Sequence, residues 1–232
     1  HDLGTFRVGN VRNYDWEDLA GFTRGNESFL AIADVGDNRS VRPYSYIYIV
    51  REPENLSKPG KKHPLLKTAW RIQFEFSNGP RDCESIAVDV ENGRILLLSK
   101  RNVPAVVYEL PLLFEGKAKP LKATPVINLK SIPQPGSGFL LSNPFYGRYA
   151  SQPTAMDISA DGLQMAVLTY THGYLFKRSK KEGWQQALDR QPKLIQLPPL
   201  TQMEAWCFDW DNNILVTTEK LPAPVYQLNR NK

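Results

Sequence analysis

Apolar and polar positions alternate along this chain in short runs separated by turn residues, and the whole arrangement recurs in four copies. The copies open as DWEDLA from Asp15, DCESIAVD from Asp82, QPTAMDIS from Gln152 and QMEAWCFD from Gln202. Each leads through a turn-rich patch into a second apolar run: FLAIADVGDN, RILLLSKRN, QMAVLTYTHG and NILVTTEKLP. A third run ends on an aromatic residue, Tyr48, Tyr108, Phe176 or Tyr226. From Glu17, Glu84, Thr154 and Glu204 to that aromatic the distances are 31, 24, 22 and 22 residues.

Strand-length runs with period-two alternation predict an all-β chain. In the first copy they lie near Asp18–Gly21, Phe29–Ala33, Tyr44–Val50 and Trp70–Phe76, where Trp, Ile, Phe and Phe alternate with Arg, Gln and Glu. In the second they lie near Ser85–Asp89, Arg94–Leu98, Ala105–Leu110 and Thr124–Leu129, with Glu91-Asn92-Gly93 as a hairpin signal. The third copy has Ala160-Asp161-Gly162 in the equivalent place and ends near Lys193–Leu197; the fourth has Asp211-Asn212-Asn213 and stops after three strands, at Val225–Leu228. Four-stranded antiparallel units repeated in series predict a β-propeller, with blades over about 15–80, 81–130, 152–198 and 202–232 in a single domain. The alternating GTFRV segment at 4–8 is then expected to complete the fourth blade; alternatively it is the edge of an earlier blade, and the ring has five. No copy carries the Gly-His and Trp-Asp pair of WD40 units. Helix is expected only as a short turn within 181–189, where Trp184 and Leu188 are four apart.

Residues 131–153 fit neither strand nor tight turn: they are rich in Pro, Gly and Ser yet carry Phe139, Leu140, Leu141, Phe145, Tyr146 and Tyr149. A loop this long in a compact domain is more often functional than idle, and its apolar residues suggest that it folds down on something. With 41% hydrophobic residues the chain can fill a core, and 29 Lys plus Arg against 24 Asp plus Glu leave a mild +5. No basic run is interleaved with stacking aromatics, so a solvated surface is expected rather than nucleic-acid binding. No apolar run is long enough for membrane insertion. Cys83 and Cys207 lack metal-ligand spacing, and buried free thiols are expected rather than a bridge. The sequence opens on His1 without an initiator Met, so a targeting segment or more of the protein is expected to precede it.

In a propeller the start of strand one and the end of strand two of each blade meet at one mouth of the central channel. The starts read Glu17, Glu84, Thr154 and Glu204, and the ends Asp34, Lys100, Tyr170 and Lys220. Carboxylates converging on an axis raise one another's pKa, and burial raises it further, so something must neutralise them. One candidate is calcium, held by Glu17 with Asp15, Asp37 and Glu84 as oxygen donors. The other is internal pairing, since Glu84 stands 16 residues before Lys100 and Glu204 16 before Lys220; only Glu17 lacks a matching lysine. Asp34, Asp37, Asn38 and Arg39 form either a turn, with Gly36 supplying backbone freedom, or a polar-ligand site together with Lys100, Arg101, Tyr170, Glu204 and Lys220. His172 alone among the histidines could reach the mouth, as a catalytic base or as a plain turn residue. Nucleophile-elbow, phosphate-loop, zinc-protease and dinucleotide motifs are absent.

The strings DWEDLA, IADVGDNR, DCESIAVD with LLLSKR, and EAWCFDWD with LVTTEK resemble an uncharacterised family of bacterial propeller proteins in which an acidic W-E-D strand and a G-D-N turn recur. The resemblance covers almost the whole chain. It implies a propeller, a periplasmic or extracellular location, and a further blade before the W-E-D strand. More loosely, the acidic channel is similar to that of calcium-dependent lactonase and esterase-like propellers, whose ligand positions do not match here residue by residue. Three functions follow as expectations: a binding module presenting the channel mouth to a small polar molecule or a protein partner, a calcium-dependent hydrolase assisted by His172, or a purely structural module whose channel is a packed core.

Overall fold

The computed structural model describes residues 5–53, 65–112 and 119–228. Blade one is β1 (Trp16–Arg24), β2 (Glu27–Asp34), β3 (Ser45–Arg51) and β4 (Thr68–Phe76); blade two is β5 (Cys83–Asp89), β6 (Arg94–Ser99), β7 (Val106–Pro111) and β8 (Leu121–Asn128). Blade three is β9 (Pro153–Ile158), β10 (Gln164–Thr169), β11 (Gly173–Lys177) and β12 (Lys193–Ile195); blade four is β13 (Met203–Phe208), β14 (Ile214–Thr218) and β15 (Tyr226–Leu228). Every blade is an antiparallel meander, in which each strand pairs with the next along the chain.

The four sheets are sectors of a β-propeller. The two-residue period gives each blade two apolar faces, and these meet in three successive cores. Ala31, Ile47, Ile72 and Phe74 of blade one pack on Ile86, Ile95, Leu97 and Tyr108 of blade two. Leu96, Leu98 and Val107 pack on Met156, Met165, Val167 and Phe176 of blade three, and Ala166, Leu168 and Leu175 on Trp206, Ile214 and Val216 of blade four. Gly173 is required at the last interface, since a Cβ there would meet the Trp206 ring. Between blade four and blade one there is instead a cavity of about 720 Å³, lined by Trp16, Ile32 and Val50 on one side and Ala205, Leu215 and Val225 on the other.

Several expectations need correcting. In its described part, the 4–8 segment does not pair with β15; Gly4 lies outside the described residues. Val8 bridges Leu66 in parallel, with Gly9 N donating to Leu66 O and Leu66 N to Arg7 O, both at 2.8 Å. The reason is the bare outer face of blade one: Val8, Val11 and Leu66 cover Ile32, Tyr48 and Val50 there. A parallel pairing of Phe74–Phe76 with Leu121–Ala123, which the local pattern does not signal, joins the outer edges of blades one and two into one eight-stranded sheet.

The 131–153 loop anchors Ile132 in the second core but does not fold Phe139, Leu140, Leu141, Phe145 and Tyr146 inward. It forms a short helix α1 (Ser137–Ser142) and a 3-10 turn (Gly147–Tyr149), leaving Leu141 82%, Phe145 78% and Tyr146 81% exposed. The expected short helix within 181–189 is α2 (Trp184–Asp189), whose Trp184 and Leu188 enter the second core. Both cysteines are free; Cys83 is buried as expected, but Cys207 is exposed, because it shares with Ala205 the face of β13 that lines the cavity between blades four and one, where no packed core forms. No helix among the described residues is long and apolar enough to cross a membrane.

Candidate functional site

A β-bulge repeated in all four blades sets the geometry of the mouth. Trp16 pairs with Asp34 and Asp18 with Ala33, so Glu17 is an extra residue on β1. The same two-for-one step leaves out Glu84 between Cys83 and Ser85, Thr154 between Pro153 and Ala155, and Glu204 between Met203 and Ala205. A bulge kinks its strand and re-aims the inserted side chain. These four residues are therefore released from the alternation that commits their neighbours to blade faces.

What they meet differs from blade to blade. Lys100 Nζ lies 2.7 Å from Glu84 Oε2 and sits 5.4 Å from the centre of the Tyr170 ring, and Tyr170 OH donates to Glu204 Oε1 at 3.0 Å. A chain of charge and hydrogen bonds thus crosses blades two, three and four. Burial raises the Glu84 carboxyl pKa, although Lys100 opposes it; burial also opposes the Lys100 charge, but Glu84 outweighs it and the net direction is up. The internal pairing expected for Glu84 is present. That expected for Glu204 is not: its partner is Tyr170 of the neighbouring blade, and Lys220 is exposed beyond β14. Thr154 Oγ1 donates to Met203 O at 2.9 Å, tying blade three to blade four.

Glu17 stands apart. It and Asp15 lie over Gly36, where a Cβ would overlap both carboxylates. No Lys or Arg side chain forms an ion pair with either among the described residues. Burial first, then Glu84 and Asp15, push the Glu17 carboxyl up to about 8, with Lys100 only partly offsetting them. At neutral pH these surroundings favour the protonated form of Glu17.

The G-D-N segment behaves as a built turn. Asp34, fully buried, accepts from Tyr14 N, Asp15 N and Arg42 Nη2, while Asp37 Oδ2 accepts from Arg42 N at 2.7 Å. Asp37 N donates to Asp82 Oδ1 at 2.8 Å, Arg101 Nε lies 2.6 Å from Asp82 Oδ2, and Arg101 Nη2 donates to Asn38 Oδ1. This latch joins blade one to blade two at the mouth. Arg39 is exposed. His172 is exposed in the turn after Tyr170, with Nδ1 2.9 Å from Thr171 Oγ1 and no hydrogen bond or ion pair to the mouth carboxylates among the described residues. The structure thus gathers Asp15, Glu17, Asp82, Glu84, Lys100, Tyr170 and Glu204, clips Asp34, Asp37, Asn38 and Arg101 beside them, and leaves Arg39, His172 and Lys220 outside.

As a cation site, the mouth offers Asp15 and Glu17 as adjacent oxygen donors. Asp37 and Glu84 are spent on Arg42 N and Lys100, and no group of three or more His, Cys, Asp or Glu among the described residues is arranged to hold a metal.

Two carboxylates escaped the sequence reading. Asp18 Oδ2 accepts from Ile86 N, and Asp157 Oδ2 from Phe208 N, both at 2.8 Å, so each latches one inner strand to the next. Burial pushes Asp18 up to about 8 and Asp157 up to about 6, against the lowering effect of those backbone donors. The available signal was an acid in the middle of an inner strand, where a blade-face position would be apolar.

No family model matches this sequence, and no curated protein matches it. Among solved structures, the chain is similar to one in a nidogen–laminin complex, at 9% identity and a TM-score of 0.43, over 77% of this chain and 52% of that one. It is also similar to the Dos1 propeller, at 12% identity and a TM-score of 0.40, over 94% of this chain and 61% of that one. The chain therefore spans between half and two thirds of the length of these structures.

Proposed function

We propose that this propeller is a binding module that engages a protein partner across the mouth of its channel. The observation that carries this reading is the ridge formed by Leu141, Phe145 and Tyr146 on a blade-to-blade loop. Adjacent exposed large apolar side chains mark interaction surfaces on soluble proteins. The loop is fastened beside the mouth, with Thr171 Oγ1 donating to Ala150 O at 2.8 Å next to Tyr170. A partner presenting apolar anchors and one Lys or Arg would cover the ridge and place its cation against Asp15 and Glu17. Peptide display on the folded protein tests this. Enriched sequences should combine apolar and basic residues and be lost on a Leu141→Ser, Phe145→Ser, Tyr146→Ser variant of unchanged melting temperature. Equal enrichment on that variant would overturn the reading.

The paired carboxylates over Gly36 favour a second reading, in which the mouth binds calcium and a small polar ligand, as a calcium-dependent hydrolase would. Calcium would be held by Asp15 and Glu17 and would draw Glu17 into its ionised form. Calorimetric titration with calcium chloride, repeated on Glu17→Gln, decides it. Saturable binding lost in the variant supports calcium, and absence of heat in the wild type removes it.

A further inference from the structure

At the end of the channel opposite the mouth, the ends of β1, β5, β9 and β13 enclose a cavity of about 660 Å³, contributed by all four blades. That volume is typical of small-molecule sites. Its lining includes six carboxylates and a single lysine, Lys180, in a chain whose net charge is +5. Four of the six are engaged by side chains: Arg178 Nη2 lies 2.8 Å from Glu91 Oε2 and 3.7 Å from Asp89 Oδ1, Asp89 also pairs with Arg94, Asp161 accepts from Ser159 Oγ at 2.6 Å, and Asp209 accepts from Asn213 Nδ2 at 2.9 Å. Asp157 is not used in this way. Its oxygens accept only from the backbone amides of Phe208 and Ile158, and no cationic side chain pairs with it among the described residues. The apolar part of the lining is accessible, since Trp210 is 74%, Leu19 55% and Val90 40% exposed, and all three belong to this cavity.

We propose that this cavity binds a small amine that carries a flat apolar group, with the ammonium drawn to Asp157 and the ring lying against Trp210 and Leu19. The negative lining selects the charge, and the indole face favours a cation beside an apolar body. An anion of the same shape is repelled, and a neutral analogue loses the carboxylate. The site is independent of the mouth, because the two lie at opposite ends of the inner strands. Burial holds the Asp157 pKa at about 6, so its carboxylate is charged above that pH and available to a cation.

Phenethylammonium chloride, 2-phenylethanol and sodium phenylacetate, titrated into the protein at pH 7.5 by calorimetry and followed by amide NMR, test the proposal. The ammonium compound should bind saturably at one site, at least about tenfold tighter than the alcohol, with phenylacetate not binding. Amide signals of Gly21, Gly162 and Trp210 should shift while that of Gly36 at the mouth stays in place. Trp210→Ala, which removes an exposed side chain and leaves the cores untouched, should weaken binding about fivefold. Asp157→Asn should weaken it at least as much. Absence of saturable binding, equal binding of the alcohol, shifts centred on Gly36, or undiminished affinity in Trp210→Ala would each overturn it.

Discussion

Replacing Glu17 by glutamine keeps the shape and hydrogen-bonding reach of the side chain and removes its titration. In the folded protein Glu17 holds its proton up to about 8, whereas the ordinary value is 4.5. The folded state therefore binds one more proton than the unfolded chain across that window, and stability falls as pH rises through it, levelling off above about 8. At full strength the interval corresponds to about 5 kcal/mol, at about 1.4 kcal/mol per pH unit. Glu17 is only partly buried and water screens it, so roughly 2 kcal/mol is the working figure. Asp18, whose proton is also held to about 8, titrates alike in both proteins, so the difference between wild type and Glu17→Gln isolates position 17. Urea unfolding at pH 5, 6, 7, 8 and 9 in the presence of EDTA measures it. The variant should gain on the wild type by about 2 kcal/mol between pH 5 and 9, chiefly between 5 and 8. A gap that stays constant over the whole range would refute the claim that Glu17 sits uncompensated at the mouth.

Gly36→Ala inserts a Cβ into the space held by the Glu17 and Asp15 carboxylates, and should cost about 1–3 kcal/mol by urea unfolding. Asp157→Ala strips the acceptor from Phe208 N at the junction of blades three and four, and should cost about 1–3 kcal/mol with faster hydrogen exchange along β13. Tyr170→Phe removes the donor to Glu204, and should cost about 1 kcal/mol without altering the blade cores. In a thiol-reagent assay at neutral pH, Cys83 should react only on unfolding; Cys207, reachable by the reagent, should react slowly in the native state, because partial desolvation of its sulfur and then Asp157 push its thiol pKa up to about 11.

The local pattern in the amino-acid sequence determined the strands and their grouping. Alternation of period two marks which residues face a blade interface, and Trp70 to Phe76 obey it because burial of one face leaves little choice of register, whereas Ile95 to Leu97 lie between two cores and are apolar on both faces. The recurrence of four such groups was enough for the propeller, and the convergence of Glu84 and Lys100 followed from their shared place in the repeat. Tertiary structure alone decided what depends on contacts between blades. Glu204 takes Tyr170 rather than Lys220, Asp37 and Asn38 become a latch through Asp82 and Arg101, and Asp18 and Asp157 hold inner strands together. The N-terminal residues cover blade one rather than β15, since an exposed apolar sheet face costs more than an unpaired three-residue edge. Periodicity records which side of a strand is apolar; it carries no term for which residue of another blade will stand opposite.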